Sequence, residues 1–335
     1  MDNVLISIMM PAKNVEFYVR DCIGSIKEQT YENWELLVVD DGSEDCTYEI
    51  LKTYETTDQR IHVFKNEGDG IIDALCLAYS KSEGEMITRM DADDIMPSDN
   101  LKKMSASLRK HGRGNIALGL VKYFCDGKIG EGYAKYEEWL NELTISGNNF
   151  LEIYKECVIP SPCWMIYRDD FDKAGAFNSS IYPEDYDLTF RFREQSYRCI
   201  PSNEVLHYWR DYATRTSRNH PHYADNSFIS IKTHYFLKQD YKDSRPLVVW
   251  GAGKKGKGVA ELLLKEQISF HWICDNPKKI GKEIYGQRLL AFSELDQIKN
   301  TQSIVTVANP KVQQEIKLFF AKRNQLAMED YFFFC

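Results

Sequence analysis

Met86-Ile87-Thr88-Arg89-Met90-Asp91-Ala92-Asp93-Asp94 decides the fold: an apolar run ends in three carboxylates within four positions, and Pro97 follows. Carboxylates buried unpaired along a strand would each cost several kcal/mol. The less costly arrangement is a strand whose C-terminal tip opens into a cleft. There a hard divalent cation takes the carboxylate oxygens and completes its shell with substrate phosphates. An acidic solvated loop would account for a DxD standing alone. Here similar acidic turns recur upstream.

Outward from this stretch, Val4–Met10 and Trp34–Val39 are continuous apolar runs with β-branched members, ended by Pro11 and by Asp40-Asp41-Gly42-Ser43. Such runs are expected of strands buried on both faces of a mostly parallel sheet. Between them Val15–Gln29 carries apolar residues at helical spacing, as do Glu44–Tyr54 and Ile71–Ser80 around a short strand at Ile61–Phe64. Strand–helix alternation with short connections predicts a doubly wound α/β sheet whose ligand lies beyond the carboxyl ends of the strands. Asp40-Asp41, Asp91-Ala92-Asp93-Asp94 and Asn14 all fall at such ends. Each also has a local explanation, since Asp41-Gly42-Ser43 makes a good turn and Ser43 a good helix cap. Local preference does not explain why acidic residues recur at one edge. Further on, Leu101–Lys110 is expected to be helical, Asn115–Phe124 a strand, and Tyr133–Leu143 helical with core aromatics.

The chain has 335 residues, room for about two domains and a substantial core. No apolar run approaches the roughly 18 residues of a membrane span, and Met1-Asp2-Asn3 lacks the basic start of a signal peptide. Nine cysteines without a CxxC pair fit reduced thiols, so the expected compartment is the cytoplasm, at most peripheral at the inner face of a membrane. Residues 245–335 hold 14 Lys/Arg against 9 Asp/Glu, a net +5, and residues 1–244 hold 28 against 41, a net −13. The acidic first part is a poor general nucleic-acid binder; the basic part could meet an anion or simply be solvated.

Four ordered motifs make the pattern specific: Pro11-Ala12-Lys13-Asn14, Asp40-Asp41-Gly42-Ser43, Asp69-Gly70-Ile71-Ile72-Asp73-Ala74 and Asp91-Ala92-Asp93-Asp94. In order and spacing they resemble the family 2 glycosyltransferases of the GT-A fold. The resemblance implies donor binding by Pro11, Asn14, Asp40, Asp41, Asp69, Asp91 and Arg210, with Asp40 on the nucleobase or ribose. It implies a divalent metal, Mn or Mg, on Asp93 with Asp91, bridging the diphosphate of a nucleoside-diphosphate sugar that is expected to be UDP-linked. Arg89 stays unassigned.

Downstream, Gly175-Ala176-Phe177-Asn178 precedes Tyr182-Pro183-Glu184-Asp185-Tyr186-Asp187, which opens a helical segment. Acidic residues in a first helical turn are favoured by the helix dipole alone. The resemblance makes Asp185 the general base that deprotonates the acceptor hydroxyl in an inverting displacement, with Glu184 and Asp187 as the alternatives. Where relatives carry a Tyr-Arg-x-His segment, this chain reads Trp209-Arg210-Asp211-Tyr212. The metal-ligating His is missing there, and His207, His220, His222 or water is left to replace it.

Lys238–Arg245, polar and followed by Pro246, is the expected linker between a catalytic domain over 1–240 and a small Rossmann-like α/β domain over 245–335. In the latter, Leu247–Trp250 enters Gly251-Ala252-Gly253-Lys254-Lys255-Gly256, and a second strand ends at Asp275. Gly251, Gly253, Gly256 and Asp275 form a GxGxxG fingerprint for a nucleotide-type ligand. Alternatively the turn only packs helix on strand. At 91 residues this domain is too short for both halves of a dinucleotide fold, which argues against dehydrogenase chemistry.

The layout Trp139–Thr144, Pro162-Cys163-Trp164, Gly175–Asn178, Pro183-Glu184-Asp185 and Trp250–Lys254 is also similar to the animal β-1,3-N-acetylglucosaminyltransferase-like proteins, whose members include queuosine-tRNA galactosyltransferase. The expected partners are therefore a nucleotide-sugar donor and a glycan or lipid-linked acceptor in cell-surface glycan synthesis. A modified tRNA nucleoside is the alternative acceptor, and a non-catalytic nucleotide-sugar sensor the rival from another class.

Overall fold

The computed structural model describes residues 4–178, 181–213, 215 and 228–335. The chain divides into two compact units, Met1–Phe150 with Val158–His220, and Leu151–Cys157 with Pro221–Cys335.

In the first unit the order is β1 (Ile6–Ala12), α1 (Val19–Lys27), β2 (Trp34–Asp40), α2 (Thr47–Thr57), β3 (Ile61–Lys65), α3 (Gly70–Ser80), β4 (Met86–Arg89), α4 (Asn100–His111), β5 (Asn115–Leu118), β6 (Leu120–Phe124), α5 (Glu131–Ser146), β7 (Trp164–Tyr167), α6 (Arg168–Lys173), α7 (Glu184–Glu194), β8 (Arg198–Ile200) and β9 (Val205–Arg210). A seven-stranded sheet runs β3-β2-β1-β4-β7-β5-β8. The β3-β2-β1-β4 half is parallel, whereas β7 runs antiparallel to both β4 and β5.

Period-two alternation sends Ile6, Ile8 and Met10 of β1 to one face, with Val19, Cys22 and Ile23 of α1 and Leu101 and Met104 of α4. Met9 faces the other side, with Leu75 and Ala78 of α3 and Leu188 and Phe192 of α7. Helices thus cover both faces, as expected of continuous apolar strands.

Two boundaries differ from the sequence reading. Strand β1 continues through Pro11 to Ala12, in register with Val39 and Asp40, so the sheet carries both loops to the same height. The single strand expected over Asn115–Phe124 breaks at Gly119. Strand β5 stays in the main sheet, while β6 pairs with β9 in a separate two-stranded sheet. A Cβ at Gly119 would lie 2.4 Å from Leu206 Cβ, so only glycine lets the chain change sheets there.

Gly84, just ahead of β4, is equally constrained. Its N–H donates to Ser7 Oγ (2.8 Å) and Glu35 Oε1 (3.1 Å), and a Cβ would meet Ser7 N at 2.6 Å and Leu5 O at 2.8 Å. Gly84→Ala is expected to destabilise the protein by about 1–3 kcal/mol, because backbone atoms must move. A lowered midpoint in urea unfolding checks it.

The second unit contains α8 (Ile229–Gln239), β10 (Leu247–Trp250), α9 (Lys254–Lys265), β11 (Phe270–Cys274), β12 (Glu283–Ile284), β13 (Gln287–Ala291), β14 (Gln302–Val305), α10 (Pro310–Ala321) and β15 (Tyr331–Phe333). Its sheet, β12-β13-β11-β10-β14-β15, is parallel apart from the β12–β13 hairpin. This is a small Rossmann-like arrangement with the order reversing at β10.

The unit includes α8, ahead of most of the Lys238–Arg245 stretch expected as the linker. Phe236 stacks edge-on against Phe332 (centroids 5.0 Å apart), and Lys232 Nζ donates to Lys155 O (2.7 Å). Among the described residues no helix is long and apolar enough to cross a membrane.

Candidate active site at the carboxyl edge of the first sheet

The parallel strands β1, β2 and β4 end side by side, and their following turns bring the sequence motifs together. Asp40, the last residue of β2, is buried. Its Oδ2 accepts from Ser43 N at 3.3 Å, whereas Oδ1 has no hydrogen-bond partner among the described residues. A buried acceptor left without a donor costs roughly 1–3 kcal/mol, and a water or a ligand could supply the donor this atom lacks.

Its neighbour Asp41 is already committed. Oδ1 accepts from Asn66 Nδ2 (2.6 Å) and from Gly70 N at the start of α3 (3.0 Å), and Lys13 lies 3.3 Å from Oδ2. Asn14, at φ 52°, accepts from Glu44 N and ties the loop after β1 to the loop after β2. Pro11 lies within β1, and Asp69 is exposed ahead of α3, its N–H donating to Asp73. Asp41 and Asn14 therefore shape the turns, while Asp40 carries the unmet hydrogen-bonding capacity.

The three aspartates after β4 have separate environments. Asp94 is wholly buried. Its Oδ2 lies 2.8 Å from Nε2 of the equally buried His207, and its Oδ1 accepts from Arg210 N (2.7 Å). His207 is thereby taken up in holding the turn. Asp93 accepts from the Tyr212 hydroxyl at 2.8 Å through Oδ2, and its pKa is pushed up to about 7 by burial and by the charge of Asp94. Asp91 accepts from Arg89 through Oδ1 alone (2.9 and 3.1 Å).

Arg210, expected to bind the donor, donates to Asp93 O (2.7 Å) and to Asp21 (3.2 Å), its guanidinium lying over Tyr18 and Phe124. Arg215, which the sequence reading passed over, is buried over Trp209 and is the cation whose charge opposes the burial of Asp93. His220 and His222 lie outside the described residues.

Arg89 turns out to be central. Buried at 5% exposure, it holds Asp91 through Nε and Nη2 and reaches Glu184 Oε1 at 2.9 Å through Nη1. Strand β4 is thus joined to the first turn of α7, where Asp185 follows. The three acidic residues there divide cleanly. Glu184 pairs with Arg89 and Asp187 with Arg191 (2.8 Å), whereas Asp185 lines a small recess of about 10 Å³, room for one water, with Arg89, Ser161 and Trp164. The Asp185 carboxyl is pushed up to about 7, first by burial and next by Glu184, against the pull of Arg89.

A divalent cation fits this donor set in one way. Asp91 and Asp93 each have one oxygen taken by a protein donor, and no hydrogen bond among the described residues occupies the other. No group of three or more His, Cys, Asp or Glu among the described residues forms a cage. Two carboxylates under mutual repulsion suit Mg²⁺ or Mn²⁺ that completes its shell with water and phosphate oxygens.

In the second unit, Gly251 (φ 110°) and Gly256 are required by packing. A Cβ on Gly251 would meet Thr306 Oγ1 at 2.7 Å, and one on Gly256 would meet Gly251 O at 2.1 Å. Gly253 has open space around it, and Asp275 is exposed just after β11.

Comparison with known proteins places this geometry. The family model described as Glycosyl transferase family 2 matches residues 7–175. An uncharacterized glycosyltransferase of Haemophilus influenzae is 35% identical over 144 residues, 42% of this chain and 44% of that protein. The Escherichia coli UDP-Glc:alpha-D-GlcNAc-diphosphoundecaprenol beta-1,3-glucosyltransferase WfgD is 38% identical over 112 residues, 33% of this chain and 44% of that one. Both alignments span less than half of the relative. Among solved structures, Staphylococcus aureus TarS 1–349 in complex with UDP-GlcNAc superimposes with a TM-score of 0.53 at 18% identity, over 77% of this chain and 71% of that one. Mannosyltransferase PcManGT from Pyrobaculum calidifontis, in complex with GDP-Man and Mn2+, gives 0.52 at 18% identity, over 77% and 69%. The first unit has the GT-A fold of these structures, and the chain belongs to glycosyl transferase family 2.

Proposed function

We propose that the protein transfers a sugar from a nucleoside-diphosphate donor to an acceptor hydroxyl with inversion, in cell-surface glycan synthesis. The observation that carries the reading is the Arg89 bridge, which sets a donor-type acidic edge (Asp40, Asp91, Asp93) beside a carboxyl, Asp185, suited to remove a proton. In this reading Asp40 Oδ1 accepts from the nucleobase or ribose, and Asp91 and Asp93 hold the divalent cation. Bound there, the cation would neutralise charge developing on the diphosphate leaving group. Asp185, desolvated and poised near neutrality, takes the acceptor proton as its oxygen attacks the anomeric carbon from the face opposite the diphosphate. Arg89 keeps Glu184 paired so that Asp185 is the carboxylate facing the recess.

The activity for which WfgD is named, glucosyl transfer from UDP-Glc to a lipid diphosphate-linked sugar, supports a UDP-linked donor and a glycan or lipid-linked acceptor. It gives that acceptor more support than a modified tRNA nucleoside.

Thermal unfolding against UDP-, GDP-, dTDP- and CMP-sugars, with and without Mn²⁺, tests the reading. A ligand at a hundred times its Kd adds about 2.7 kcal/mol to stability by mass action. The expected result is a rise in Tm of several degrees for one nucleotide class, and only with metal. No rise with any donor would remove the proposal.

A further inference from the structure

Asp93 is gripped twice by the residues that end and follow β9. Arg210 Nε donates to its backbone O at 2.7 Å, and the Tyr212 hydroxyl donates to its Oδ2 at 2.8 Å. This segment is itself fixed to the turn after β4. Ile95 and Tyr208 exchange backbone hydrogen bonds (3.1 and 3.0 Å), and Arg210 N donates to Asp94 Oδ1 at 2.7 Å. The Tyr212 ring packs on that of Tyr18, just ahead of α1, with centroids 4.6 Å apart, and the Arg210 guanidinium covers the same Tyr18. Packing of the ring, as well as its hydrogen bond, therefore aims the hydroxyl at Oδ2.

Asp91 is held in the same manner by a different residue, since Arg89 Nε and Nη2 both donate to its Oδ1. Each carboxylate thus has one oxygen occupied and offers a cation the other alone. Ligation through single oxygens suits Mg²⁺, which demands octahedral geometry at about 2.0–2.1 Å and keeps several waters. Ca²⁺ takes roughly six to eight oxygens at about 2.3–2.6 Å and often reaches that number with carboxylates that give both.

We propose that Tyr212 is a positioning residue that keeps Asp93 a one-oxygen ligand, and that this selects Mg²⁺ over Ca²⁺ at the donor edge. The inference rests on the transfer reading above, in which Asp91 and Asp93 hold the cation. Tyr212 acts through Asp93 and does not itself bind the ion, because its hydroxyl is spent on Oδ2.

The test uses calorimetric titration of Mg²⁺ and of Ca²⁺ into the whole chain in the presence of UDP, and in parallel of GDP, for the wild type and Tyr212→Phe. Phenylalanine keeps the ring against Tyr18 and removes only the hydroxyl, so Tm without metal should stay close to that of the wild type. Loss of a partner that orients a metal ligand costs about 10- to 100-fold in affinity, and Mg²⁺ binding should weaken by that factor. Ca²⁺ can use both oxygens of the released Asp93, so its affinity should hold or rise. The preference for Mg²⁺ over Ca²⁺ therefore narrows by at least about tenfold.

A loss of the same size for both ions would make Tyr212 a merely structural residue and overturn the proposal, as would unchanged affinities for both. Wild-type protein that binds Ca²⁺ as tightly as Mg²⁺ would overturn it too, and this comparison holds even where the variant folds poorly. Wild-type protein that binds neither ion with either nucleotide would instead overturn the metal-dependent transfer reading itself.

Discussion

Asp185→Asn is expected to lower kcat for transfer by about 10²- to 10⁴-fold, the usual contribution of a positioned general base, while the Kd for donor and metal stays within about twofold. The amide keeps the shape of the carboxyl and its contact with the Tyr186 N–H but cannot take a proton. Single-turnover measurement of transfer alongside calorimetric donor binding separates the two quantities. Near wild-type transfer by the variant would make the base assignment wrong.

The same residue sets a pH dependence. Burial and Glu184 raise the Asp185 carboxyl to about 7, so as the proposed base it is expected to lose activity as it protonates below neutrality. The rate of transfer should climb about tenfold per pH unit up to neutrality and level off above. Stability should move the other way. A carboxyl whose folded pKa exceeds its unfolded value of about 3.9 binds more protons when folded. Its contribution therefore declines as pH rises from about 4 to about 7 and is constant beyond.

Asp93→Ala is the second large effect. It should remove metal-dependent donor binding and reduce transfer by at least about 10²- to 10³-fold, the scale on which loss of a preorganised stabiliser of developing charge is felt. Because the native Asp93 is desolvated and repelled by Asp94, its replacement should leave the metal-free protein no less stable. The variant thus separates function from folding. Wild-type protein stripped with EDTA should match it and recover on addition of Mn²⁺. Normal turnover after stripping would exclude a metal role for Asp93.

The parts of this site that lie within one strand and its turn were legible in the sequence. Continuous apolar runs at β1, β2 and β4 marked strands buried on two faces, and the carboxylates at their ends do fall together at one carboxyl edge of the sheet. What escaped were pairings across long separations. Arg89 and Glu184 are 95 residues apart, and Asp94 and His207 are 113 apart. No local periodicity records such a pair. For the same reason the bond from Arg210 to Asp93 O was not foreseen, and Arg215 drew no notice. The break at Gly119 depends on Leu206, a neighbour supplied by another sheet. In the second unit the sequence left two meanings for the glycines, and contacts divide them: Gly251 and Gly256 serve packing, and Gly253 alone faces open space.

The Arg89 bridge also has a consequence for biosynthesis. A ribosome adding roughly 5–20 residues per second releases Arg89 several seconds before Glu184. During that interval a guanidinium destined for the interior lacks one of its two carboxylates, and burying it then would be strongly unfavourable. Final burial of Arg89 beside β4 is therefore expected to follow the emergence of α7. The two sides that Arg89 joins are then expected to order together.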